Sequence, residues 1–183
     1  MDLNNADRSS TGFHDGEIAV QHRAGVRADA RRLARMLDHA DLTGSVADLL
    51  ARRTFAVVAA RDQGGRLWTS PLTGDAGFLH VVDATTLQVN SAHRVGDPLQ
   101  DLPAGQPVAL VTVDFAKRRR YRINGHLASA DGATLTIEAD QAYGNCPQYI
   151  QQRILSADTS SAGTRPEHEP TAVARSLDAE PCT

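Results

Sequence analysis

The chain has 183 residues, 41% hydrophobic and 22% charged, with a formal net charge of -3. That is enough for one domain with a core, because a domain of about 150 residues hides roughly two-thirds of its unfolded surface. The balance is that of an ordinary globular chain, with no global attraction to nucleic acid or to an anionic membrane, and no apolar run approaches the ~20 residues that span a bilayer. The two cysteines, Cys146 and Cys182, have neither a disulfide-framework nor a metal-ligand spacing. Residues 1–7 carry no basic and apolar leader pattern, so a cytoplasmic protein is expected.

Residues 1–12 are polar and read as a flexible N-terminus. Phe13–Glu17 is expected as the start of an arm that packs Phe13 and Ile18 on the body. Val26, Ala30, Leu33, Ala34 and Leu37 fall on one helical face, with Arg27, Arg31, Arg32 and Arg35 on the wet side. Ser45 followed by Asp48 predicts a helix start with a loose capping box, and the helix should end near Arg52 and Arg53. From Thr54 the texture changes to short strands: 54–60, its hairpin partner within 64–74, then 78–82, 86–91, 107–115, 119–129 and 133–139. Strands at such spacing with helices at the ends predict a mainly β fold, an antiparallel barrel or sandwich. Tyr143–Pro147 reads as a turn, with Pro147 opening a short helix over 148–155 that buries Tyr149, Ile150, Ile154 and Leu155. Residues 158–183 read as a disordered tail. The domain is therefore placed at 13–157.

No zinc motif, nucleophile elbow or Gly-rich phosphate loop is present. What remains is a set of donors on strands. Alternation puts Trp68 and Ser70 on one face of their strand and Thr69 and Thr73 on the other; spacing alone favours a barrel strand whose Trp68 fills the core. Arg94 follows a strand beside Gly96, a place for a phosphate contact or for an exposed loop arginine. Arg118, Arg120 and Arg122 share one side of a strand, with Arg119 and Tyr121 on the other. Like charges so placed repel unless an anion lies near, and the alternatives are a bound phosphate or a solvated edge. No exposed aromatic series accompanies them, so nucleic acid is not expected as a partner. Cys146, between Asn145 and Pro147, sits at the expected helix start, where a thiol is either activated by the helix dipole or simply packed.

Four runs, taken together, resemble the pyridoxamine 5′-phosphate oxidase-related flavin-binding proteins. They are Phe13-His14-x-Gly16-Glu17, Gly65-Arg66-x-Trp68-x-Ser70-x-Leu72-Thr73-Gly74, Asp114-Phe115-Ala116-x-Arg118-Arg119-Arg120-x-Arg122-x-Asn124-Gly125 and Tyr143-Gly144-Asn145-Cys146-Pro147-x-Tyr149-Ile150-Gln151. The resemblance spans residues 13–153, is nearest to a bacterial subgroup, and implies an FMN-binding split barrel of antiparallel Greek-key type. It further implies a homodimer with FMN at the interface, and flavin-mediated oxidoreduction of a small molecule with an NAD(P)H-dependent electron donor. The alternative is a non-catalytic module for flavin, deazaflavin, FAD or a haem-like ligand. It places Ser70, Thr73, Arg94 and Arg120 at the phosphate or ribityl chain and Trp68 and Thr69 near the ring, with Arg118, Arg122, Asn145, Cys146 and Tyr149 as further contacts. Arg120 stands where the family has a glutamine, and Val95 where it often has a lysine. The C-terminal motif that closes over pyridoxine substrates is absent, which argues against vitamin B6 oxidation. No metal and no membrane partner are expected.

Overall fold

The computed structural model describes residues 12–91 and 96–154. Three helices come first, α1 (Asp15–Arg23), α2 (Arg27–Leu33) and α3 (Ser45–Ala51). Seven strands follow: β1 (Phe55–Arg61), β2 (Leu67–Thr73), β3 (Leu79–Val81), β4 (Thr86–Asn90), β5 (Pro107–Asp114), β6 (Arg119–Asp131) and β7 (Thr134–Asn145). None of the described helices is long and apolar enough to cross a membrane. The expected N-terminus and tail lie outside the described residues but for Gly12.

The arm expected at Phe13–Glu17 is instead the start of α1. His14, with extended backbone, accepts at Nδ1 from the N–H groups of Gly16 (3.1 Å) and Glu17 (3.3 Å), and the Glu17 carboxylate accepts from the His14 N–H at 3.0 Å. This reciprocal pair is a capping box built on histidine. A Cβ on Gly16 would come within 2.9 Å of the His14 ring, so the glycine makes room for the cap. The His-x-Gly-Glu run is thereby explained as a helix start. The α2 face is less covered than its periodicity predicts: Val26 and Leu33 are 44% and 58% exposed. Ser45 opens α3, but at its first helical position; Gly44, at φ 58°, holds the cap position without a side-chain bond, which corrects the expected capping box.

All strand pairs are antiparallel, in the order β2-β1-β5-β6-β7-β4-β3, as the mainly β reading expects. The edge strands β2 and β3 are separated by only residues 74–78, so the sheet must curl to bring its edges together. The Ser91 hydroxyl, just after β4, closes much of that gap by donating to the Thr73 carbonyl at 2.8 Å. The barrel stays split, since no ladder joins β2 to β3. Alternate residues fill the interior: Ala56, Val58, Leu72, Leu87, Leu110, Ile123, Leu127 and Ile137 are each at most 1% exposed. Leu42, Leu50 and Leu99 close the core.

β7 runs through Tyr143, Gly144 and Asn145, where a turn is expected, because β6 offers partners at Arg122, Tyr121 and Arg120. The helix expected over 148–155 is absent from its described part, 148–154. Only a turn forms, the Ile150 N–H donating to the Pro147 carbonyl at 2.9 Å. The Arg118 guanidinium takes the carbonyls of Ile150 (3.0 Å) and Pro147 (3.5 Å), the acceptors a helix would have used. Tyr149 and Ile154, expected inside, are 89% and 85% exposed.

Candidate functional site

A sheet with one buried face has another to account for. Strand by strand across the outer face, Pro71, Val57, Val111, Arg122 and Tyr143 are successive register partners. One level along, Thr73 pairs with Phe55, and Val113 with Arg120, which pairs with Asn145. On the other side the row is Thr69, Ala59, Ala109, Asn124 and Gln141. The outer face is thus an apolar centre flanked by β2 hydroxyls on one side and by Arg120, Arg122, Asn124, Tyr143 and Asn145 on the other. Phe55, Val57, Val111 and Val113 are half-buried, with Arg153 and Ile154 beside Phe55 and Val113.

Two polar atoms on this face are buried without a partner among the described residues, Arg122 Nε and Asn145 Oδ1. Buried polar groups are ordinarily satisfied, and an orphan costs about 1–3 kcal/mol. The two residues sit diagonally across the β6–β7 ladder. One atom donates and the other accepts.

No protein-family model and no curated protein sequence matches the chain. Solved structures share part of its shape. HupZ of Group A Streptococcus aligns at 17% identity over 56% of this chain and 92% of its own, with a TM-score of 0.41. A single-residue variant of HupZ aligns over 57% of this chain and 99% of its own at the same identity and score. A protein of Lactobacillus delbrueckii designated a candidate pyridoxamine 5′-phosphate oxidase aligns at 15% identity over 56% of this chain and 93% of its own, with a TM-score of 0.40.

The structure sorts the residues singled out above. Thr69, Thr73, Arg120, Arg122 and Asn145 share the outer face. Trp68 and Ser70 point the other way and are engaged within the fold. The Ser70 hydroxyl, 2% exposed, donates to Asp97 Oδ1 at 2.6 Å. The Trp68 indole N–H donates to Asp62 Oδ2 at 3.0 Å, with the Arg66 guanidinium 5.9 Å from the ring centre. Arg120 donates to the Cys146 carbonyl at 3.4 Å. Cys146 is exposed and no described helix follows it, so the activating dipole is absent. Arg94 lies outside the described residues. Asn124 and Tyr143 are additions: the Asn124 amide donates to Gln141 Oε1 (3.3 Å) and the Tyr143 hydroxyl (3.5 Å). The β6–β7 register would have found Tyr143, but the turn-like Tyr-Gly-Asn-Cys-Pro spelling hid it.

Two titrating groups report on the surroundings. Burial raises the Tyr121 phenol, with a smaller contribution from the negative charge of Asp41. Asp62 is held below the ordinary aspartate value, first by the Arg66 backbone N–H and then, against some desolvation, by the Trp68 indole and the Arg66 side chain. A carboxylate depressed in the folded state contributes stability above its unfolded pKa and loses it as pH falls through the folded one. Because the chain has one tryptophan, its emission should shift in acid with a midpoint below the ordinary aspartate range. Asp62→Asn should abolish that step; a step unchanged in the variant would disconnect Trp68 from Asp62.

Proposed function

We propose that the outer sheet face binds flavin mononucleotide against a second copy of the chain and serves the redox chemistry of a small molecule. The observation carrying this reading is the orphan pair, Arg122 Nε and Asn145 Oδ1, beside an apolar sheet face. An isoalloxazine edge presents ring carbonyls flanking a ring N–H, so it accepts from one orphan and donates to the other. Its apolar face matches Val57 and Val111. Thr69, Thr73 and Arg120 supply hydroxyl and cationic donors for the ribityl phosphate.

Bound flavin supplies hydride and single-electron transfer. The chain's own residues do the rest. Phe55, Val57, Val111 and Val113 exclude water from the ring, and the positive charge of Arg122 favours an electron-rich ring edge. An apolar sheet face of this kind is ordinarily covered in an assembly, and a two-fold dimer pairs the face with itself.

The test is titration of the full chain with FMN by flavin absorbance and fluorescence. Wild type should bind, and Arg122→Ala should weaken binding about tenfold or more, the value of a charge-assisted hydrogen bond. Arg122→Lys should recover part of it. A protein that takes up no FMN, or an Arg122→Ala variant of unchanged affinity, would defeat the reading. A monomer by sedimentation equilibrium in the presence of FMN would remove the second copy from the site.

A further inference from the structure

A cleft of about 380 Å³ opens between α3 and the paired ends of β6 and β7, bordering the outer face at Arg120 and Asn145. Arg118, Arg119 and Arg120 line it in succession, and Leu49 and Tyr121 give it an apolar side; among the described residues no carboxylate lines it, and Asp114, the register partner of Arg119 on β5, is taken by Arg53. The described arginines Arg32, Arg53 and Arg66 are ion-paired with Asp29, Asp114 and Asp62. The three in the cleft are paired with no described carboxylate, as is also true of Arg23, Arg27, Arg31, Arg52, Arg61, Arg122 and Arg153; what sets the three apart is that they line one cleft. Arg118 and Arg120 donate only to the carbonyls of Pro147, Ile150 and Cys146, which fixes their direction and leaves their charge unneutralised. The Arg119 guanidinium has no partner among the described residues. Arg118 is also the one described non-glycine residue at positive φ, 53°. It closes the turn 115–118 between β5 and β6, where a left-handed residue is ordinary hairpin geometry.

Three uncompensated cations on consecutive residues are a cost that an anion removes. Guanidinium pairs match phosphate oxygens bidentately, and the volume with its apolar side suits a nucleotide-sized body. We infer that the cleft is a binding site for a nucleoside mono- or diphosphate, held at its phosphate by Arg118, Arg119 and Arg120. The site adjoins the proposed flavin face and shares Arg120 and Asn145 with it, whereas Arg119 and Tyr121 project from the other side of β6 than Arg122 and belong to the cleft alone.

Calorimetric titration of the full chain with ADP, inorganic pyrophosphate and a single-stranded oligonucleotide tests this. ADP should bind with a Kd of about 1 mM or tighter and lose affinity as salt rises. Arg119→Ala should weaken ADP about tenfold and leave both the melting temperature and FMN affinity unchanged, because Arg119 is exposed. Arg122→Ala should do the reverse, sparing ADP. Leu49→Trp, which crowds the apolar side, should weaken ADP more than pyrophosphate. Absence of binding by ADP and pyrophosphate at roughly ten times that concentration would overturn the site, as would ADP affinity indifferent to Arg119. Loss of ADP with Arg122→Ala would move the ligand to the sheet face and overturn it too. An oligonucleotide binding a hundredfold tighter than ADP would replace the nucleotide by a nucleic acid.

Discussion

Gly125→Ala should destabilise the fold by about 3 kcal/mol, the upper range for forcing a methyl into a packed interior, and lower Tm by roughly 6–12 °C. Gly125 sits in β6 on the core side, and a Cβ there would run into the Glu138 carbonyl, its carbon at 2.8 Å and the Ala139 Cα at 2.9 Å. These are backbone atoms of the paired strand, not the ends of side chains that swing aside. Relief therefore requires β6 and β7 to separate. The register explains the close approach: Asn124 pairs with Gln141 but Gly125 with Ala139, so Asp140 bulges out of the ladder. The bulge is held from three sides. The Asp140 carbonyl accepts from the Ala40 N–H at 3.0 Å, its carboxylate lies 2.8 Å from His126 Nδ1, and the Ala139 N–H donates to the Thr85 carbonyl at 2.7 Å.

The consequence reaches the site. Beyond the bulge, β7 carries Gln141, Tyr143 and Asn145 onto the outer face opposite Asn124, Arg122 and Arg120. Shifting β7 displaces the orphan Asn145 oxygen from the Arg122 nitrogen, so Gly125→Ala should lose FMN binding even at temperatures where it stays folded. Urea unfolding measures the first effect and flavin titration the second. A change below about 1 kcal/mol would show that β7 yields freely and that the bulge does not set the face.

The fold was legible where one period rules. Alternation in 107–115 and the Gly-rich turn before Leu67 specify β5 and the β1–β2 hairpin, because a strand with one buried face leaves little freedom of register. It was not legible where partners overrule local chemistry. Gly144, Asn145 and Pro147 spell a turn, yet a free β6 edge extends the ladder through the first two. Pro147 suits a helix start, yet the side chain of Arg118 takes the carbonyls a helix needs. At the site, alternation correctly parted Trp68 and Ser70 from Thr69 and Thr73 but did not say which pair faces outward. That depends on the bonds to Asp62 in the β1–β2 turn and to Asp97 in the loop between β4 and β5, which have no periodicity. The orphan pair on Arg122 and Asn145 depends on the β6–β7 register and could not be counted before it.

Breaking the Arg53–Asp114 pair should cost about 3 kcal/mol, the range for removing one partner of a buried ion pair. Arg53 Nη1 lies 3.0 Å from Asp114 Oδ2, and the two side chains are only 14% and 11% exposed. Arg53 Nε also donates to the Leu49 carbonyl at 3.1 Å, satisfying an acceptor at the end of α3. The other Asp114 oxygen accepts from the Lys117 N–H at 3.0 Å, which shapes the turn leading to Arg118. One pair thus joins the end of α3, the end of β5 and the turn from which the arginine cluster begins. Arg53→Ala leaves the Asp114 carboxylate buried with a single neutral donor and the Leu49 carbonyl without its side-chain partner. The double variant Arg53→Met, Asp114→Leu removes both charges at similar volume and should recover most of the loss, since a buried pair and its apolar replacement are nearly equivalent. Asp114→Leu alone should fall between them, because it strands Arg53 but frees it to reach solvent along its flexible stem. Urea midpoints of the four proteins settle the matter: a loss under about 1 kcal/mol for Arg53→Ala would mark the pair as a solvent-screened surface contact. A double variant no better than Arg53→Ala would place the loss in α3 packing instead of in the charge.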